Sequence, residues 1–253
     1  VFYRSDIYEA AGVEVPTTLA EYTEVNAAMK DQGVGGAYLA GRDWRSGISW
    51  IFANGGEIAT YDGEWTATLA SDESVAGMEQ WQELFETGGV ATATDDDTTT
   101  YSAINDEFLA GTPASSTLAP SWATWTLGDF DAETESYVWN PETFGVYALP
   151  GVDGGAAPVF AGGSNIGISA ASEHQDAAVQ LMDIIFSEGY QSLLAETGLG
   201  PAHLAYVAAC TSLDTFPGVN EIAYEAAANA KLNLIVCATE NAVTMVEGEG
   251  DEA

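Results

Sequence analysis

The residues best suited to chemistry in this sequence are its tryptophans. Seven occur. Trp44 with Arg45, Trp50, and the run Pro120-Ser121-Trp122-Ala123-Thr124-Trp125 are flanked by Gly, Ser, Thr and Pro. A flat indole in a cleft stacks on the apolar face of a sugar ring, while Arg, Asp, Asn and backbone amides bond the hydroxyls. Half-buried packing is the competing use of the same side chains. Trp81 falls on a helical apolar stripe and reads as core.

Other chemistries are weaker. The histidines are His174 and His203, each near an expected helix start, where a solvated ring is ordinary. Gly162-Gly163-Ser164-Asn165-Ile166-Gly167 is not a nucleophile elbow, which needs one residue between Ser and the second glycine. Nor is it a phosphate loop, since no Lys-Ser/Thr pair follows. Asp95-Asp96-Asp97 lacks the spacing of a calcium loop and reads as a solvated acidic turn. With 39 Asp and Glu, carboxylate pairs suited to glycoside hydrolysis arise by abundance alone. A secreted carbohydrate-active hydrolase therefore stands as the alternative to a sugar binder. No catalytic residue, metal site or cofactor is expected.

The elements that must position these residues follow from pattern and capping. Residues 6–11 read as a helix stopped by Gly12. Thr18 with Glu21 forms a capping box ahead of a stripe of Leu19, Tyr22, Val25 and Met29. Residues 37–40 read as a short buried strand, and 58–69 as a hairpin turning at Asp62-Gly63. Ser71 or Asp72 caps a helix whose expected inner face is Val75, Met78, Trp81, Leu84 and Phe85. A helix is expected through Tyr101, Ile104 and Phe108, and a strand from Phe144 to Leu149. Ser172 with Gln175 forms a second capping box for a helix reaching Phe186, and another helix runs from 187 to 197. Interleaved helices and short strands give an α/β or α+β class.

Charge narrows the partners. The 253 residues carry 39 acids against 5 Lys and Arg, a formal net charge of −34. No basic patch can form from so few cations, which excludes nucleic acid and anionic membrane surfaces as electrostatic partners. Apolar residues at 47% and aromatics at 11% argue against disorder. The acidity suits a high-salt habitat or an ordinary acidic secreted protein. Cys210 and Cys237 permit one disulfide or two free thiols. Val1-Phe2-Tyr3-Arg4 carries no signal-peptide pattern, so the chain is expected to be a mature or truncated piece.

The order of motifs resembles a known family. Phe2-Tyr3-Arg4-Ser5-Asp6-Ile7-Tyr8, Ala11-Gly12, Val15-Pro16-Thr17-Thr18 and Glu21-Tyr22 are followed by Asn54-Gly55-Gly56 and Phe108-Leu109-Ala110-Gly111. Then come Pro120-Ser121-Trp122-Ala123, the strand ending at Gly151, Gly162-Gly163-Ser164-Asn165 with Ile168-Ser169-Ala170, and Gly200-Pro201-Ala202. In this order they are similar to extracellular solute-binding proteins of ABC sugar importers, the maltose-binding-protein-like group. The resemblance implies a type II periplasmic-binding-protein-like α/β fold and a non-enzymatic function. The protein would bind a sugar or oligosaccharide between two lobes and deliver it to ABC transporter permease subunits. It would do so as a monomer, outside the cell or in the periplasm, lipid-anchored in full-length form. It further implies that residues 1–157 and 209–253 form one lobe and that 158–208 return from the other, most of which is expected to be absent. Ligand contacts would come from Trp44, Arg45, Trp50, Trp122, Gly162, Gly163, Ser164 and Asn165.

Overall fold

The structure, a computed structural model, describes residues 1–93, 104, 113–160, 166–196 and 199. Several expectations lie outside the described residues: the acidic turn at 95–97, the helix through Tyr101 and Phe108, Gly162, Gly163, Ser164 and Asn165, His203, the two cysteines, and the segment 209–253.

Strand β1 (Phe2–Arg4) passes directly into helix α1 (Ser5–Ala11), which Gly12 ends in the left-handed conformation, as expected. The joint is held by charge. Buried Arg4 donates Nε and Nη2 to the Asp6 carboxylate at 2.8 and 2.7 Å, and Nη1 to the Ile104 carbonyl at 3.3 Å. Helix α2 (Leu19–Asp31) begins where Thr18 Oγ1 accepts the Glu21 amide at 3.1 Å. The capping box is displaced by one residue, because the Glu21 carboxylate reaches back to the amide and hydroxyl of Thr17. Strand β2 (Ala37–Ala40) is buried throughout. Helix α3 (Trp44–Ala53) follows, then the hairpin β3 (Ala59–Tyr61) and β4 (Trp65–Ala67) with Gly63 at φ +80° in its turn. Helix α4 (Asp72–Thr87), capped by Ser71, leads into β5 (Gly89–Ala93). After β6 (Ser116–Thr117) comes a short 3₁₀ helix, Ser121–Trp125, then a second hairpin of β7 (Asp129–Asp131) and β8 (Ser136–Val138), and β9 (Phe144–Val146).

The main sheet runs β5-β2-β6-β1-β9. Strand β2 is parallel to both neighbours, while β1 is antiparallel to β6 and β9. Alternation along β2 serves both faces. Ala37 and Leu39 join Leu19, Tyr22, Trp50, Leu84, Tyr147 and Leu149 under the helices. Tyr38 joins Phe2, Val90, Ile104, Ala123, Leu127 and Phe144 on the other side.

The inner face of α4 differs from its apolar stripe. Ser74, Gly77 and Leu84 are buried, whereas Val75 and Met78 are exposed and Trp81 and Phe85 half-buried. The reason is close packing on α3. A Cβ on Gly77 would lie 2.5 Å from the Trp50 carbonyl oxygen and 2.6 Å from Ile51 Cα, so only glycine lets the axes approach. Ser74 Oγ bonds the carbonyls of Glu57 and Thr68 at 3.2 and 3.1 Å, which tethers α4 to the β3–β4 hairpin. Backbone proximity therefore overrides side-chain hydrophobicity in choosing the buried face.

Helices α5 (Gln175–Ile185) and α6 (Glu188–Glu196) close the described chain. The expected capping box at Ser172 does not form. His174 occupies the N-cap position without a side-chain cap, Ser172 Oγ accepts the His174 amide, and Gln175 Nε2 bonds the Ala170 carbonyl. None of α5 is buried; Val179, Leu181 and Ile184 stand exposed.

Two outcomes are expected. Gly77→Ala should destabilise the fold by about 1–3 kcal/mol in urea denaturation, because the added methyl meets backbone that cannot turn away. Arg4 holds the Asp6 carboxyl below the usual carboxylate range, chiefly through its hydrogen bonds. A depressed folded pKa means the pair's contribution is full above about pH 4 and is lost as pH falls through the folded value. Asp6→Asn should therefore flatten the acid limb of stability against pH and cost roughly 1–2 kcal/mol at neutral pH, between the exposed-pair and buried-pair limits.

Candidate functional site

Parallel strands end together, and the crevice beyond their carboxyl ends is where open α/β sheets hold ligands. Strands β2 and β6 are parallel, so the segments that follow them, α3 and the 3₁₀ helix, emerge at the same sheet end. These segments carry Trp44 and Trp122. Their roots meet at a cavity of about 10 Å³ lined by Ala40, Asp43, Ser46, Trp81, Thr117 and Leu118, among others. That space holds one water at most, so any larger ligand must lie above it.

Asp43 sets the start of α3. Its Oδ1 accepts the Ser46 amide at 3.5 Å and its Oδ2 the Ser46 hydroxyl, and it is buried in doing so. The cap fixes Trp44 as the first helical residue, with its side chain 54% exposed. Phe160 meets that indole edge-on at 5.3 Å, and the Arg45 guanidinium lies 4.8 Å from its ring centre. Phe160 is itself tied to α3, its amide donating to the buried Ser49 hydroxyl at 3.1 Å. The result is an aromatic shelf fastened at two points. Trp122 and Trp125 are both exposed on the 3₁₀ helix, anchored by buried Ala123 and Thr124 between them.

The tryptophan-bearing positions therefore separate. Trp44 and Arg45 are in contact, and Trp122 stands at the same sheet end. Trp50 does not take part and is a correction to the expected set. It is fully buried, its ring 4.6 Å from that of Trp81 and 6.1 Å from that of Tyr22. In a helix, six residues turn the side chain about 120° away from Trp44 and into the core. Composition around Trp50 resembles a loop, but α3 continues through it. The sequence reading also missed Asp43 and Phe160. Asp43 with Ser46 three residues on is an N-terminal capping pattern visible in the sequence. Nothing local marks Phe160, which arrives from 116 residues further along the chain.

Among the described residues the carboxyls that depart from their ordinary range move down. Besides Asp6, Glu21 is lowered by the Thr17 hydroxyl and Asp131 by the Glu133 amide. A general acid for glycoside cleavage requires the opposite shift. Among the described residues no group of three or more His, Cys, Asp or Glu is placed to hold a metal ion, and no helix is long and apolar enough to cross a membrane.

A layered α/β lobe of this kind has the fold of type II, maltose-binding-like proteins. The family profile described as bacterial extracellular solute-binding protein matches residues 1–192, and the chain belongs to that family. It is 25% identical over 199 residues to the diacetylchitobiose binding protein DasA of Streptomyces coelicolor, covering 78% of this chain and 45% of that protein. The GacH receptor of Streptomyces glaucescens, solved unliganded and with acarbose, superposes with a TM-score of 0.63 at 20% identity, over 90% of this chain and 56% of that one. Maltose-bound MalE3 of T. maritima superposes with a TM-score of 0.64 at 22% identity, over 90% of this chain and 58% of that one. The chain thus spans about half the length of these relatives.

Removing the cap tests how the shelf is held. Asp43→Ala should cost about 1 kcal/mol in chemical denaturation and leave a cooperative transition, since one helix end is loosened and the core is untouched.

Proposed function

We propose that this protein captures a sugar or oligosaccharide above the carboxyl ends of β2 and β6 and passes it to the permease subunits of an ABC importer. The observation that carries the reading is Trp44, an exposed indole fixed at the first turn of α3 by Phe160 and Asp43 in a chain of the solute-binding family. A large apolar ring that is rigidly held and half open to solvent suits stacking on a sugar face. Trp122 supplies a second shelf. Gly162, Gly163, Ser164 and Asn165, which follow Phe160 in the chain, would offer backbone and hydroxyl donors. The diacetylchitobiose, acarbose and maltose named for the relatives support a carbohydrate as ligand.

The same reading places the protein outside the cell or in the periplasm, as a monomer, with a lipid anchor in its full-length form. It assigns residues 1–157 and 209–253 to one lobe and 158–208 to the other. Exposed Val179, Leu181, Ile184 and Leu193 on α5 and α6 support that division, because such residues ordinarily pack within a lobe. Closure of two lobes on the ligand would be a hinge motion. The protein performs no catalytic step in this reading.

Calorimetric titration of the full chain with maltose, maltotriose and diacetylchitobiose tests it, alongside an assay for new reducing ends. Binding without cleavage is expected. Trp44→Ala and Trp122→Ala should each lower affinity by about 1–3 kcal/mol, the range for an aromatic anchor. Unchanged affinity in both variants would remove the shelves from the site.

A further inference from the structure

The distribution of positive charge at this site is unlike that of the rest of the chain. The five cationic residues are Arg4, Lys30, Arg42, Arg45 and Lys231. Arg4 is buried against Asp6, in the one ion pair among the described residues. Lys30 donates to the Glu86 carbonyl. Arg42 and Arg45 stand three residues apart on either side of Asp43-Trp44, both exposed. Neither has a carboxylate within ion-pair distance among the described residues. On a protein with 39 acids an exposed arginine readily meets a carboxylate, yet among the described residues these two do not, and in sequence they lie on either side of Trp44. The acid between them is already occupied, since the buried Asp43 carboxylate accepts both the amide and the hydroxyl of Ser46.

We infer that this site selects an anionic carbohydrate, a sugar bearing carboxylate or phosphate, with Trp44 under the ring and Arg42 and Arg45 on the charged group. The inference rests on the carbohydrate-binding reading above and specifies its substrate class. A planar guanidinium matches carboxylate and phosphate oxygens in a two-pronged bond, so a pair of them discriminates charge as well as position. Arg45 rests over the Trp44 ring, a contact it can keep through its alkyl stem or exchange for the ligand. Arg42 has no such aromatic contact among the described residues, so stacking on Trp44 does not account for it. The net charge of −34 does not prevent this. At 0.15 M salt the Debye length is about 8 Å, so distant carboxylates are screened while a guanidinium in contact is not.

The test is calorimetric titration of the full chain at 0.15 M NaCl with matched pairs: galacturonate against galactose, glucuronate against glucose, and glucose 1-phosphate against glucose. The acidic member of at least one pair should bind about tenfold tighter or better than its neutral partner, the size of one charge-assisted contact. Which pair responds separates carboxylate from phosphate. Arg42→Gln and Arg45→Gln should each shrink that ratio to about threefold or less, and Arg45→Lys should restore part of it. Neutral sugars binding as tightly as their acidic counterparts would overturn the inference and leave the sugar-binding reading standing. A tenfold preference that survives both glutamine substitutions would overturn the assignment to these arginines. A chain that melts cooperatively but binds no sugar of either kind would overturn the reading and the inference together.

Discussion

Five cationic side chains against 39 carboxylates leave this protein almost unable to hold itself together with ion pairs, and the fold shows what takes their place. Only Arg4 and Asp6 pair among the described residues. Elsewhere hydroxyls make the connections that charges make in other proteins. Tyr22 shares a hydrogen bond with Ser116, whose hydroxyl donates to Asn26, which in turn holds the Tyr22 carbonyl. Ser115 Oγ accepts the Gly36 amide and donates to the Gly36 carbonyl at the entry to β2. Ser49, Ser71 and Ser74 do similar work along α3 and α4. Neutral hydrogen bonds of this kind contribute about 1 kcal/mol each and do not add to the surface charge.

Burial of these hydroxyls has a second consequence. Desolvation pushes the phenols of Tyr8, Tyr22 and Tyr147 above their ordinary range, so they resist ionisation into alkaline solution. Rings that pack tightly, with Tyr3 4.8 Å from Tyr8 and 5.3 Å from Tyr147, give the core under α2 its bulk. The core thus supplies cohesion that the surface opposes.

The site inherits its geometry from that core. Strand β2 is buried on both faces and fixes where α3 begins. Close packing of α3 on α4 at Gly77 directs Trp50 inward and leaves Trp44 at the free end. One helix therefore carries one tryptophan as foundation and another as shelf, and the Asp43 cap separates the two roles. Arg42 and Arg45 belong to the same turn, and neither makes an ion pair among the described residues.

How much of this was legible varies with how local the physics is. Gly12, Thr18, Ser71 and Asp62-Gly63 announced their helix ends and hairpin, because caps and turns depend on a few neighbouring residues. The family itself was readable from the order of short motifs over residues 1–208. The buried face of α4 was not, because Gly77 and Ser74 are buried by what α3 and the hairpin bring to them and not by their own hydrophobicity. Ser172 matched a capping box in sequence, yet its hydroxyl took the His174 amide and left the cap unmade. Trp50 and Trp44 lie in equivalent sequence surroundings, and a local window assigns both the same role. The sequence alone determined the capped helices, the first hairpin, the charge and the family; tertiary structure decided which tryptophan faces solvent. That choice turns on helix phase against a neighbour 26 or more residues away, and on Phe160 arriving at Trp44 from a distant strand connection, neither of which a local window contains.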